Sequence, residues 1–159
     1  MSEVRKVKAA SIFPFISELF ELGQSVRLPV SGDSMNPFLY DGIDSVELTK
    51  GSFEQISRGD IVMIQRADGC YVMHRVIKKE IDSIYMVGDA QQWIEGPLYP
   101  EQLVAVVTAI WHRNKRIPCS NQWWRLLAWL WLCLRPYRYF IFKVNKKMRR
   151  LLKLKSSKN

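Results

Sequence analysis

The chain has 159 residues and a mass of 18.7 kDa, which fits one domain of ordinary size, with or without an appendage. Hydrophobic residues make up 48% of it and charged residues 25%, a globular composition that excludes a disordered chain. It holds three cysteines and two histidines with no CxxC motif, which excludes a disulfide framework and a structural zinc site.

The excess positive charge is confined to the C-terminal part of the chain. Residues 1–111 carry ten Lys and Arg against fifteen Asp and Glu, a net charge of −5. Residues 112–159 carry fourteen Lys and Arg and no acidic residue, a net charge of +14. Such asymmetry favours a partner that carries phosphate, either anionic lipid or nucleic acid.

The N-terminal stretch 1–24 predicts a short amphipathic helix. Its apolar residues fall on one helical stripe between positions 12 and 22, and Ser11 and Gly23 are the expected start and end. Glu18 and Glu21 interrupt the apolar run, so we expect neither a signal peptide nor a membrane-spanning helix here.

Short β-like runs follow between residues 25 and 111. Turn-forming pairs such as Asp41-Gly42 and Gly88-Asp89 separate them, and no long helical pattern intervenes. The pattern therefore predicts a mainly antiparallel β domain over 25–111. The predicted strands are Val26–Val30, Val46–Leu48, Ile61–Ile64, Tyr71–Ile77, Ile84–Val87 and Leu103–Trp111.

The remaining residues, 112–159, read as a basic, Trp-rich tail. We expect a linker over 112–122 and then an amphipathic helical segment, Trp123–Leu134, which Pro136 ends. The longest apolar run, 126–134, gives about 14 Å of helix against a hydrocarbon core of about 30 Å. A spanning helix is therefore disfavoured, and the tail is expected to lie in the plane of a membrane surface.

Aromatic and basic residues of the tail match the headgroup level of an anionic membrane. Two alternatives stay open: the Trp residues pack on the β domain, or, less favoured, the tail binds nucleic acid. The residues expected to bind the membrane are Trp123, Trp124, Trp129, Trp131, Arg125 and Arg135.

The densest local motif is SGDSMNPFL over residues 31–39, which follows the first predicted strand. A serine on a sharp turn can expose its hydroxyl, as a nucleophile must, although most such serines only form turns or cap helices. His74 on a later strand is the candidate general base, because imidazole titrates near neutral pH. A third group should orient that ring, and Asp89 in the Gly88-Asp89 turn is a candidate. His112 and Lys78 are weaker alternatives for the base.

Four boxes occur in order: SGDSMNPFL, RGDIVMIQ, YVMHRVIKK and YMVGDAQ. Together they resemble signal peptidase I and its wider superfamily, which includes the self-cleaving SOS repressors, over residues 26–111. His74 stands where the bacterial enzymes have a lysine base, as in the endoplasmic-reticulum and archaeal type. The resemblance implies an antiparallel β catalytic domain with Ser34 as nucleophile, His74 as base and the Ser34 backbone amide as oxyanion donor. The acid implied is Asp89 or, less favoured, Glu95.

The chain departs from that family at two points. Gly32 stands where some members have a further oxyanion-stabilising hydroxyl, and before the serine box we expect only the short 12–22 helix where the family usually has a transmembrane anchor. We therefore expect a cytoplasmic serine endopeptidase, peripheral at the inner face of the membrane, that cleaves a protein or leader peptide without metal or cofactor. The alternative is a non-hydrolytic, membrane-associated peptide-binding module of the same fold. A self-cleaving repressor is discounted, because 25 residues before the β domain cannot hold a helix-turn-helix.

Overall fold

The computed structural model describes residues 9–138, apart from the side chains of residues 9–12 and 14. Helix α1 spans Ala9–Glu21 and helix α2 spans Gln122–Cys133. Short 3-10 turns occur at Phe53–Gln55, Pro100–Gln102 and Arg135–Tyr137. The strands are β1 Val26–Pro29, β2 Asp44–Thr49, β3 Ile61–Gln65, β4 Tyr71–Lys79, β5 Ile84–Val87, β6 Glu95–Leu98, β7 Leu103–His112 and β8 Lys115–Pro118.

All eight strands form one antiparallel sheet in the order β1-β2-β7-β3-β4-β5-β6, with β8 on β7. The expectation of a mainly antiparallel β structure with a short N-terminal helix and a C-terminal helix is confirmed. The loop after β1 nevertheless reaches the loop after β5, which is far from β1 in the strand order. The sheet therefore curls, and this curling positions the candidate site.

Two apolar clusters cover the two faces of the sheet. The larger includes Phe13, Ile16 and Phe20 of α1 with Met63 of β3, and the smaller includes Val62 and Val76. Alternation along β3 sends Met63 to one cluster and Val62 to the other, as a two-residue period requires. Helix α1 thus covers the face that holds the Ser34 loop.

The boundaries of α1 differ from the prediction at its start. Ser11 already lies inside the helix, so it is not the N-cap that the sequence suggested. The end is as expected: Gly23 has a φ of 70° and donates to the Phe20 carbonyl, while Gln24 donates to Leu19. Those two bonds form a Schellman cap, in which glycine readily adopts the left-handed conformation.

Residues 112–118 lie in the sheet rather than in the linker expected over 112–122. His112 ends β7, and Arg113 and Asn114 have φ values of 47° and 67°, which form a tight hairpin to β8. Paired left-handed residues are typical of two-residue hairpin turns. Gly96 and Pro97, a dipeptide typical of turns, lie in the edge strand β6, where proline needs no ladder partner.

Helix α2 packs against the β structure by one face. Asn121 caps its start, because the side-chain oxygen accepts from the backbone amides of Trp123 and Trp124. Ala128 and Leu132 are buried, and Trp124 packs on the larger cluster. Neither helix within residues 9–138 has the length and apolar character needed to cross a membrane. The Lys/Arg-rich end of the tail, 139–159, lies outside the described residues.

Candidate active site

Ser34 lies half-buried in the loop between β1 and β2, against the loop that follows β5. Its carbonyl accepts a hydrogen bond of 2.8 Å from the amide of Ala90. A Cβ on Gly88 would stand 2.7 Å from the same carbonyl oxygen, so the two loops meet too closely for any larger residue there. The amide N–H of Ser34 has no acceptor within residues 9–138.

A cavity of about 260 Å³ opens beside Ser34. Helix α1 contributes Phe13 to it, and that ring stacks on Tyr71 with centroids 3.8 Å apart. The other apolar residues that line it are Leu28, Val30, Met35, Val46, Met63, Val72 and Met73. The cavity is therefore suited to an apolar side chain held next to the Ser34 hydroxyl.

His74 lies in the middle of β4, opposite Val62 of β3, and only 3% of the residue is exposed. Two residues away on either side, Val76 belongs to the smaller cluster and Val72 packs against it. Burial lowers the pKa of the imidazole, the largest of the influences on it, and Arg66 lowers it further. The ring is therefore neutral at pH 7, which is the form a general base needs.

Glu95 is the carboxylate beside the His74 ring. Its Oε2 is 3.7 Å from His74 Nδ1, and that nitrogen is buried with no hydrogen-bond partner among the described atoms. Arg66 binds both oxygens of Glu95, one of them at 2.7 Å from Nη2, and this paired hydrogen bonding holds the carboxylate in place. Trp93 borders the ring edge-on at 6.1 Å.

Asp89 pairs with an arginine. Arg75 binds it at both oxygens, with Nε to Oδ1 at 2.9 Å and Nη2 to Oδ2 at 2.6 Å. Both side chains are fully buried, and Arg75 also donates to the carbonyl of Gly59. The structure thus places the carboxylate of Asp89 on Arg75, while the carboxylate that faces the His74 ring belongs to Glu95.

The structure brings the predicted residues together in two groups. Ser34 contacts the turn at 88–90, and His74 contacts Glu95, but no hydrogen bond within residues 9–138 joins Ser34 Oγ to the imidazole. The neighbours of His74 connect the groups, because Met73 lines the Ser34 cavity and Arg75 binds Asp89. Ser34 and His74 thus make no direct hydrogen bond among the described residues, and Ser/His chemistry would require one that forms when substrate binds.

Two other sequence candidates have structural partners. His112 Nδ1 is 2.6 Å from Asp44 Oδ1 at the far end of β7, and Lys78 forms a surface ion pair with Glu80. Neither lines the Ser34 cavity. Within the described part of the chain, no three His, Cys, Asp or Glu side chains stand close enough to bind a metal ion.

The residues expected to bind a membrane divide into two sets. Trp124, Trp131 and Arg135 contact the β structure: both Trp rings meet Phe38 edge-on, and Arg135 donates to the carbonyl of Gln92. In contrast, Trp123, Trp129 and Arg125 are exposed. One face of α2 thus packs on the β structure, as the alternative proposed, and the opposite face stays exposed for the predicted membrane contact.

Sequence reasoning missed the role of Arg75. An arginine between Met73 and Ile77 on one side of a predicted strand must be buried, and a buried cation needs a carboxylate. That signal predicts a carboxylate partner for Arg75, and the structure identifies it as Asp89. Arg66 gave no comparable signal, because its partner Glu95 lies on a strand that the sequence did not predict.

The chain matches no protein-family model, and it matches no curated protein.

Proposed function

We propose that this protein is a serine endopeptidase of the signal-peptidase type, in which Ser34 is the nucleophile and His74 the general base. The observation that carries the proposal is the position of Ser34 at an apolar cavity that Met73 also lines, against a turn whose Asp89 binds Arg75. Met73 and Arg75 flank the buried His74 in the sequence of β4. The resemblance of four ordered motifs to that superfamily supports the same fold and chemistry.

The reaction would proceed through an acyl-enzyme. Ser34 Oγ attacks the carbonyl carbon of the scissile peptide bond while His74 takes the hydroxyl proton. The C–N bond then breaks, and His74 returns the proton to the departing amine. Water hydrolyses the ester by the same route in reverse order, with His74 again taking and returning one proton. No redox step or organic cofactor is needed.

The unoccupied N–H of Ser34 suits the developing oxyanion. An amide that already donates to protein could not stabilise the tetrahedral intermediate without losing a bond. Gly32 offers no second hydroxyl donor at the position where some signal peptidases have one. Binding at the cavity would orient the substrate, with an apolar side chain next to the scissile bond.

We assign the orienting acid to Glu95 rather than Asp89. Glu95 faces the unpartnered Nδ1 of His74 at 3.7 Å, and a shift of under one ångström would make a hydrogen bond of about 3 Å. Such a bond would fix the tautomer that leaves Nε2 free to accept the serine proton. Asp89 instead neutralises the buried Arg75.

A serine-reactive fluorophosphonate probe, followed by peptide mass mapping, tests the proposal. We expect a single label on Ser34, with Ser34→Ala and His74→Ala both abolishing labelling and peptide cleavage. Ser31→Ala is the matched control, because Ser31 is exposed on the same loop and lines the same cavity. Folded protein that takes no label would contradict the proposal and favour the non-hydrolytic peptide-binding module.

We further propose that the exposed face of α2 binds an anionic membrane surface. Trp123, Leu127 and Leu130 are 75%, 52% and 42% exposed, and they lie on the side of α2 turned away from the core. Leu126 and Leu134 extend the same apolar face. Fourteen basic residues and no acidic residue in 112–159 favour anionic lipid over a neutral surface.

A further inference from the structure

The C-terminal segment, helix α2 and the residues up to Arg138, donates hydrogen bonds to the loop that contacts Ser34. Trp131 Nε1 donates to the carbonyl of Asp89 at 3.0 Å, and Arg138 Nη1 donates to that of Gly88 at 3.3 Å. Arg135 donates to the carbonyl of Gln92 at 2.6 Å. Three side chains of the C-terminal segment thus donate to backbone carbonyls of one short turn, 88–92.

The opposite side of that turn binds the nucleophile loop. The amide of Ala90 donates to the carbonyl of Ser34 at 2.8 Å, and Ala90 directly follows Asp89, whose carbonyl accepts from Trp131. Phe38, four residues after Ser34, contacts the rings of both Trp124 and Trp131. The turn and the Ser34 loop are therefore held against each other with α2 behind them.

Arg138 is unusual for a residue that only covers a core. It is fully buried, and its guanidinium lies 4.9 Å from the Trp131 ring while Nη2 donates to the Trp131 carbonyl at 3.1 Å. Burial lowers its pKa to about 10, so it stays charged at neutral pH. A buried cation is costly, and an apolar side chain would fill the same space without that cost. Unlike an apolar side chain, Arg138 donates hydrogen bonds from Nη1 to the carbonyls of Gly88 and Gln91.

We propose that Trp131 and Arg138 are positioning residues for Ser34, acting through the turn at 88–91. The inference rests on the proposed function, since it assigns these two side chains to the geometry of that same nucleophile. They touch no reacting atom. Their hydrogen bonds fix the carbonyls of Gly88 and Asp89. The turn then holds Ser34, because the amide of Ala90 donates to the Ser34 carbonyl. The hydroxyl and amide of Ser34 therefore keep their orientation toward the cavity.

Trp131→Phe removes the indole N–H and keeps an aromatic ring against Phe38, and Arg138→Met removes the donors while keeping an apolar chain of similar length. We expect each to slow fluorophosphonate labelling of Ser34 by about ten- to a hundredfold, the cost of a small misplacement of a reacting group. Trp111→Phe and Arg116→Met are the matched controls, because they remove the same kinds of donor from Glu47, away from the Ser34 cavity, and both should label at the wild-type rate.

Two further measurements separate positioning from simple loss of folding. At a temperature where circular dichroism shows each variant fully folded, kcat on a cleavable peptide should fall while KM and the pH midpoint stay unchanged. KM reflects the untouched cavity, and the pH midpoint reflects His74. Wild-type labelling rates in Trp131→Phe and Arg138→Met, or a loss that only follows the unfolded fraction, would overturn the inference. Unreactive Ser34 in the wild-type protein would overturn it together with the proposed function.

Discussion

The single residue that most constrains the proposed chemistry is His74. Its ring is buried between Trp93 and Glu95, and burial is the main reason that its pKa lies below the usual 6.5. Glu95 opposes that shift, because a nearby carboxylate stabilises the imidazolium. A neutral imidazole can accept the serine proton without first losing a proton of its own. We therefore expect activity at neutral pH, whereas a lysine base would give an alkaline optimum.

The ascending limb of kcat/KM against pH should therefore have its midpoint below about 6.5. Glu95→Gln removes the charge that raises the pKa of His74, so the midpoint should move to still lower pH while kcat falls. Glu101→Gln, an exposed carboxylate ahead of β7, is the control and should leave both unchanged. A midpoint above about pH 8 would indicate a base other than His74.

The same lowered pKa affects stability. Between the folded-state pKa and about 6.5, the unfolded chain binds a proton at His74 that the folded chain does not. The stability that this group contributes is thus fully present above that range and is lost as the pH falls through it. The melting temperature of His74→Gln should consequently fall less than that of the wild type over this interval.

At the scale of the elements, helix α2 joins the core to a large exposed apolar face. Its buried side carries Ala128 and Leu132, and its opposite side carries Trp123, Leu127 and Leu130. Viewed down the helix axis, the buried and the exposed residues are separated by about a third of a turn or more. An apolar face of this kind on a surface helix marks an interaction site. The two functions proposed for the helix, membrane binding and support of the 88–92 turn, use different faces.

Substitution of the exposed face should weaken membrane binding without unfolding the protein. The triple variant Trp123→Ser, Leu127→Ser, Leu130→Ser should bind anionic vesicles at least about a hundredfold more weakly, because each apolar side chain contributes roughly 1.5 kcal/mol or more at the interface. Vesicle co-sedimentation measures this. Ile81→Ser, at a fully exposed position in the β4–β5 turn, is the control. Equal binding of wild type and triple variant would return α2 to a purely structural role.

At the scale of the whole molecule, the sheet and α2 form one folded unit. Trp124 packs on the larger apolar cluster, Leu132 is 3% exposed, and Trp131 binds the backbone at Asp89. The β structure is therefore incomplete without α2, and its sheet continues to Pro118 rather than ending near 111. The tail is consequently not a detachable membrane anchor within the described part of the chain.

A chain ended after residue 120 should be less stable than one ended after residue 138 by at least about 3 kcal/mol, from the apolar area and hydrogen bonds that α2 supplies. Urea denaturation of the two truncated chains measures the difference. The version that ends at 138 retains every described contact and is the matched control. Equal urea midpoints would show that α2 is an appendage and would also weaken the positioning role of Trp131.

The sequence by itself determined the elements whose pattern is local. Alternating apolar residues and turn pairs located β3, β4, β5 and β7, and Gly23 located the end of α1. Local geometry decides these features, because side-chain period and left-handed glycine are properties of a few consecutive residues. The local motif around Ser34 and the chemistry of imidazole also drew attention to Ser34 and His74, and the structure places Ser34 in the loop after β1 and His74 in β4.

Only the tertiary structure decided which charges meet. The sequence favoured Asp89 over Glu95 as the orienting acid, whereas the folded sheet pairs Asp89 with Arg75 and brings Glu95 to His74. The same curl brings the loop after β1 against the loop after β5, and α2 packs on the other side of the loop after β5. Contacts between residues far apart in the chain depend on how whole elements pack, and no local period encodes them.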